Sequence, residues 1–295
     1  YRLVRSDQLI ASLRALVVVS ARETQYEFAK QKEQQLASLI ELVRARQQAG
    51  DLGQVDVELS LASLSQTLND TAQSIAAYQQ AKAEVRELLP SWRSTSRAIP
   101  SSFWDFKPIF LQPAELLNHP SLMLLKTQWE IQKEASKIAK LKKSADPSVG
   151  LNFGDNDREK TVSVNFSLPL NVRNTFDAEA SAAQKQVLEA EAEFKAALRR
   201  QQFAVEASVN VSKEYASRNK RWASLISGTG NQGQVLLKRQ WASGDLATAE
   251  YLLGLQQILA GAQAGVSLRN QYQLSMLEWL ENSGQIEAIM NITEL

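Results

Sequence analysis

Arg44-Ala45-Arg46-Gln47-Gln48-Ala49-Gly50-Asp51-Leu52 has a second version at Lys238-Arg239-Gln240-Trp241-Ala242-Ser243-Gly244-Asp245-Leu246, 194 residues further on. Each stretch opens on basic residues and closes on Gly-Asp-Leu. An acid stands six positions after each glycine, Asp56 in the first copy and Glu250 in the second. Each also joins two long polar–apolar segments that read as helices, and Gly50 is expected at the left-handed position that ends a helix. A repeat of such long period points to a duplicated architecture rather than a small catalytic unit.

The segments around the two turns carry helical periodicity. Leu36, Ile40 and Val43 share one face of a helix expected over residues 6–48. After the first turn, Val57, Leu61, Leu64, Leu68, Thr71, Ile75 and Tyr78 alternate spacings of four and three, the seam of a coiled coil. That helix is expected to stop at Leu89-Pro90. Residues 175–242 read as the longest helical stretch, with Ala183, Val187, Ala190, Phe194 and Ala197 on its seam. Unbroken, it would reach roughly 100 Å, though Gly228, Gly230 and Gly233 are positioned to interrupt it. Beyond Gly244, Leu252, Leu255, Leu259, Ala262 and Val266 continue the pattern, and Asn282-Ser283-Gly284 ends it.

Two regions differ. Residues 91–118 gather Trp92, Phe103, Trp104, Phe106 and Phe110 among prolines, an irregular connector whose aromatics are expected to pack on the helices rather than on a membrane. His119, the single histidine, precedes a helix expected over residues 121–143 and reads as an ordinary helix-start residue. Then the period becomes two. Residues 148–153 and 161–168 alternate, with Val162, Val164, Phe166 and Leu168 on one face and Thr161, Ser163, Asn165 and Ser167 on the other. A polar turn is expected over residues 154–159. A single strand pair among such long helices is too little sheet to stand alone. A soluble sheet explains the alternation; a membrane barrel explains as well why the strands are isolated, with the apolar face toward lipid. One hairpin cannot close a barrel, so further strands are required. Shifting the second copy back by 194 puts the first copy's strands before residue 1, and the chain is expected to be the later part of a longer protein.

Composition excludes several chemistries. A net charge of +1 gives no electrostatic reason to bind nucleic acid. The chain has no cysteine, hence no disulfide, thiol nucleophile or thiolate metal site. With three methionines and no cluster of them, no soft-metal relay is legible. No phosphate-binding glycine loop, dinucleotide fingerprint or metalloprotease motif occurs. No cofactor and no enzymatic activity are expected.

Four stretches resemble the TolC-like outer membrane efflux family, in the order that family has them. Asn118-His119-Pro120-Ser121-Leu122 resembles the opening of its second repeat. Phe166-Ser167-Leu168-Pro169-Leu170-Asn171-Val172-Arg173-Asn174 resembles its strand-to-helix passage, in the form closest to the heavy-metal cation efflux branch. Gly50 to Leu59 and Gly244 to Leu253 resemble its helix-hairpin tips. The resemblance implies a mainly α fold with a small β part: a long antiparallel coiled-coil helical barrel continuous with a trimeric transmembrane β-barrel. It implies the outer membrane of a Gram-negative bacterium with a large periplasmic portion, and outer membrane lipid around the strands. It implies a homotrimer, a periplasmic adaptor protein and an inner-membrane pump reached through that adaptor. The chain itself would be a passive conduit, with metal cations as one cargo and drug efflux or type I secretion as others. A soluble coiled-coil scaffold is the reading from a different class.

On that resemblance the parts are 1–90, the helical hairpin of the first repeat; 91–118, the connector; 119–148, the first helix of the second repeat; 149–170, the barrel hairpin; 171–281, the second long helical hairpin; and 282–295, a tail. Arg46, Gly50, Asp51, Lys238, Gly244 and Asp245 become candidates for adaptor contact. Asp56 and Glu250 become candidate gate acids, because carboxylates that meet in a symmetric assembly would attract cations and repel anions. Both also sit where the helix dipole favours an exposed acid without any gating role.

Overall fold

Long runs rich in Ala, Leu, Gln, Glu and Lys and without internal proline set the lengths of the helices. In the computed structural model the described residues are 1–93, 99–144, 146–156, 159–168, 175–227 and 232–291. They form two compact units, one of residues 1–110 and 204–295, the other of residues 111–203.

In the first unit, α1 (Arg2–Gln48) and α2 (Gln54–Leu88) make a helical hairpin. The helix α7 (Thr248–Ser283) lies along α1, and the short α6 (Gln232–Ser243) lies on α7. Near the turns, Leu36, Leu39 and Val43 of α1 join Val57, Trp241, Tyr251, Leu252 and Leu255 in one buried cluster. A second cluster, Ala15, Val19, Tyr78, Ala81 and Val85, fastens the other end of the hairpin. Each large apolar side chain so buried contributes about 1.5–3 kcal/mol. A helix of one turn, α8 (Ile286–Ile289), follows the left-handed Gly284 (φ 68°), and its Glu287 bonds Arg2 and Arg5 of α1.

The seam on α2 differs from its sequence reading. Val57 and Tyr78 are buried as expected, but Leu68 and Ile75 are 48% and 38% exposed. Ser60 and Thr67 are buried instead, their hydroxyls returned to the carbonyls of Asp56 and Ser63. Thr71 also reaches across to the Ala29 carbonyl. Hydroxyls that bond their own helix cost little to bury. Small residues therefore line the closest approach of α1 and α2, and the larger leucine and isoleucine turn away.

The connector packs as its aromatics suggest. Phe106 stacks on Trp279 of α7 with centroids 5.6 Å apart, and the Trp279 indole donates to the Ile109 carbonyl at 3.0 Å.

In the second unit, α3 (Pro113–Leu116) leads into α4 (Pro120–Leu141). His119 caps α4, its Nδ1 accepting from the Ser121 backbone N–H at 3.3 Å. Two strands follow, β1 (Ser148–Asn156) and β2 (Glu159–Ser167), paired antiparallel. They run further into the supposed turn than the charged sequence indicated, since Gly154 to Asn156 and Glu159 continue the ladder. The helix α5 (Asp177–Ser227) then begins; Phe194 and Ala197 of its expected seam are buried and Phe194 stacks on Trp129 of α4 at 5.8 Å. The stretch expected to run to 242 is described as two helices, α5 and α6. Gly228 and Gly230 lie outside the described residues, and Gly233 sits inside α6.

Candidate functional site

The two Gly-Asp-Leu turns fold alike. Gly50 and Gly244 both have φ of +84°, a left-handed conformation that costs an L side chain strain. Gly50 N–H donates to the Gln47 carbonyl and Asp51 N–H to the Arg46 carbonyl; Gly244 donates to Trp241 and Asp245 to Gln240. This is the paired backbone cap that satisfies the last carbonyls of a helix. A Cβ at either glycine would meet nothing within 4 Å, so both turns present open surface. Asp51 and Asp245 are exposed, and the Asp245 carboxylate accepts from Ser243 Oγ at 2.6 Å.

Asp56 and Glu250 occupy matching positions at the third residue of α2 and α7. The Asp56 carboxylate accepts from the Gly53 backbone N–H at 3.3 Å, and that of Glu250 from Ala247 N–H at 3.2 Å. Each ties off a helix start that would otherwise leave its amides unpaired. In the single chain these acids thus have a capping role of their own.

Arg46 does not lie free at the tip. Its guanidinium stands 5.2 Å over the Trp241 ring and donates to the Trp241 carbonyl at 3.2 Å, with a longer contact to Ala242 O. An arginine of one hairpin thus neutralises the exposed carbonyl end of a helix in the other. Trp241 is 1% exposed, stacks on Tyr251 at 5.1 Å, and donates its indole N–H to Thr248 Oγ1 at 3.2 Å. Burial raises the Tyr251 phenol pKa above its ordinary value. Lys238 is exposed beside a groove of about 460 Å³ between α1 and α6, which Gln34, Leu42 and Val235 help to line.

Sequence reasoning missed Trp241, because nothing in the polar α6 marks one tryptophan as an anchor. It also missed Gly254, Ile258, Gly261 and Gly265, whose 4-3-4 spacing on α7 was legible. Trp222 lies against Gly265 and donates to the Gly261 carbonyl at 3.1 Å, while Leu237 of α6 sits over Gly254.

The strand pair is the other distinctive feature. Val149 faces Phe166, Leu151 faces Val164 and Phe153 faces Val162, so six apolar side chains share one face, each 61–77% exposed. Leu168, just past β2, is 46% exposed. The opposite face carries Ser148–Ser167, Gly150–Asn165, Asn152–Ser163 and Gly154–Thr161. Nine residues per strand match the roughly 9–11 that cross a bilayer at a tilt. Pro169 to Asn174, the rest of the expected strand-to-helix passage, lie outside the described residues. Among the described residues no helix is long and apolar enough to cross a membrane, and no three His, Asp or Glu side chains are grouped to hold a metal.

The chain matches no protein-family model and no curated protein. It does resemble solved structures. A membrane protein from Pseudomonas aeruginosa superposes with a TM-score of 0.81 at 16% identity, over 96% of this chain and 67% of that one. The outer membrane protein VceC from Vibrio cholerae gives 0.78 at 14% identity, over 95% and 70%. The open state of the Neisseria gonorrhoeae MtrE outer membrane channel gives 0.78 at 13%, over 96% and 67%. This chain thus spans about two thirds of the length of these structures, and over that span it shares their fold.

Proposed function

We propose that the chain is a protomer of the outer-membrane channel in a tripartite efflux system, a passive conduit rather than an enzyme. The observation that carries this is the β-hairpin. Its six exposed apolar side chains would together cost on the order of 10 kcal/mol to leave in water, which lipid relieves. The outer backbone edges of β1 and β2 have no further strand beside them among the described residues, and hydrocarbon tolerates only a closed barrel. Closure then requires strands from other copies or from further parts of the polypeptide, and a homotrimer is the assembly we assign. The helical hairpins that turn at Gly50 and Gly244 would stand in the periplasm. There an adaptor would dock on Asp51, Asp245 and Lys238, with the inner-membrane pump behind it. Asp56 and Glu250, already at helix starts, would form the acidic gate. Metal cations are the cargo to test first, because the resemblance to the metal-efflux branch runs through Phe166 to Asn174. The deciding experiment is reconstitution of the intact polypeptide. A detergent-dependent trimer that conducts cation-selective current in planar bilayers supports the reading; a monodisperse water-soluble particle that conducts nothing overturns it.

A further inference from the structure

We propose that the lysine-rich end of α4 is a docking surface for the headgroups of anionic phospholipids, set at the level where the β-hairpin enters the bilayer. The proposal rests on the channel reading, because lipid around the hairpin is what brings a bilayer to this point. Lys137-Ile138-Ala139-Lys140-Leu141-Lys142-Lys143 holds four lysines and no acid. The helix ends at Leu141, which is 70% exposed, and Ile138 is exposed beside it. Lysines at a helix C-terminus complement its dipole, and that accounts for their charge. It does not account for the exposed apolar side chains between them. At a membrane surface Leu141 sinks toward the acyl chains, while the lysine stems run beside it and lift their ammonium groups to the phosphates.

The fold places this segment where such a surface is needed. Lys143 pairs with Asp177 in the first turn of α5, so the end of α4 and the start of α5 stand side by side. The hairpin is strung between them. Its register pairs Ser148 with Ser167 at that end and Asn156 with Glu159 at the far end. Both strands therefore leave from the lysine end of α4, and Val149 at once opens the exposed apolar face. The charge is not all neutralised within the chain. Lys137 pairs with Glu134 and Lys143 with Asp177, all at exposed positions where such pairs are weak. Lys140 is exposed and has no ion pair among the described residues. An anionic headgroup supplies the missing counter-charge, and each lysine near such a surface strengthens binding about fivefold.

The test uses the intact polypeptide in nanodiscs of equal phosphatidylglycerol and phosphatidylcholine. The chain has no cysteine, so single probes can be attached without other reaction. A bimane on Leu141→Cys should be quenched by a lipid spin-labelled near its headgroup at least about threefold more than one on Leu124→Cys, roughly 25 Å back along α4. A bimane on Val164→Cys, quenched by a lipid spin-labelled deep in its chain, reports that the hairpin is in the bilayer. Native mass spectrometry of the extracted protein should show phosphatidylglycerol retained over phosphatidylcholine. Lys140→Gln with Lys142→Gln should cut that preference at least about fivefold. Lys126→Gln with Lys133→Gln removes as much charge roughly 10 Å or more further back, and should leave the preference within about twofold. Inorganic phosphate should lower it no more than chloride of equal ionic strength. A quenched Val164 probe with an unquenched Leu141 probe, equal effects of the two double variants, or no preference for the anionic lipid overturns the proposal and leaves the channel reading standing. Displacement by phosphate beyond that by chloride overturns it as well, as the mark of a free-anion site. An unquenched Val164 probe retires the membrane reading and the proposal with it.

Discussion

Gly265→Ala should destabilise the protein only while Trp222 is present. An ideal Cβ on Gly265 would fall 1.9 Å from Trp222 Cζ2 and 2.2 Å from Cε2. No relaxation of a few tenths of an ångström removes such overlap, so the indole must leave. Overpacking of this kind costs about 1–3 kcal/mol. Losing the Trp222 donation to the Gly261 carbonyl adds about 0.5–1.5 kcal/mol. Alanine returns about 1 kcal/mol, because glycine inside a helix is the poorer helix former. The net expectation is a loss of about 1–3 kcal/mol in the wild-type background. In a Trp222→Ala background the same change meets no ring and should stabilise by about 0.5–1 kcal/mol. The sign reversal gives a coupling of about 1.5–4 kcal/mol between the two positions. Denaturant unfolding of the intact chain in detergent, followed by circular dichroism, measures all four variants. An equal cost of Gly265→Ala in both backgrounds would refute the packing argument. Gly254→Ala is the contrast: its Cβ would meet only the flexible end of Leu237 at 2.9 Å, and it should cost less than about 1 kcal/mol.

Asp56→Ala and Glu250→Ala should each lose about 0.5–1 kcal/mol by removing a helix-start bond, read as a lower midpoint of thermal unfolding; in reconstituted channels the double variant should also shift the reversal potential toward less cation selectivity. Val164→Lys, on the apolar strand face, should weaken membrane assembly by about 2–4 kcal/mol, whereas Ser163→Lys on the polar face should assemble normally, as judged by trimer yield on native gels. Burial alone would raise the Glu287 carboxyl pKa, but its bonds to Arg5 and Arg2 outweigh this and hold it below the ordinary value. A lowered carboxyl pKa stabilises the fold above the unfolded-state value and loses that contribution as pH falls through the folded-state value. Proteolysis at the C-terminal segment should therefore accelerate in acid, as pH falls below the ordinary carboxylate range, and Glu287→Gln should abolish that acid dependence.

What could be read without coordinates depended on how local the cause was. The Gly50 cap was legible, since a left-handed residue between two periodic helices needs no distant partner, and Gly244 in the second copy takes the same φ. The strand hairpin was legible because alternation fixes the face of every residue, and the register puts Val149, Leu151 and Phe153 opposite Phe166, Val164 and Val162. The α2 seam was only half legible. Apolar spacing cannot tell that Thr67 satisfies its own hydroxyl and so fits the closest approach better than Leu68. The extent of the strands was misjudged as well, because cross-strand hydrogen bonds held polar residues that composition assigns to a turn.

The amino-acid order by itself determined the long helices, their turns and the two-faced hairpin, because each follows from periodicity and backbone preference within a few residues. Tertiary structure alone decided that Arg46 caps the other hairpin's helix and that Trp241 anchors α6, for those bonds join positions 195 and 196 residues apart. Contacts at that separation depend on how helices stack side by side, and no local pattern encodes where a distant carbonyl will come to rest.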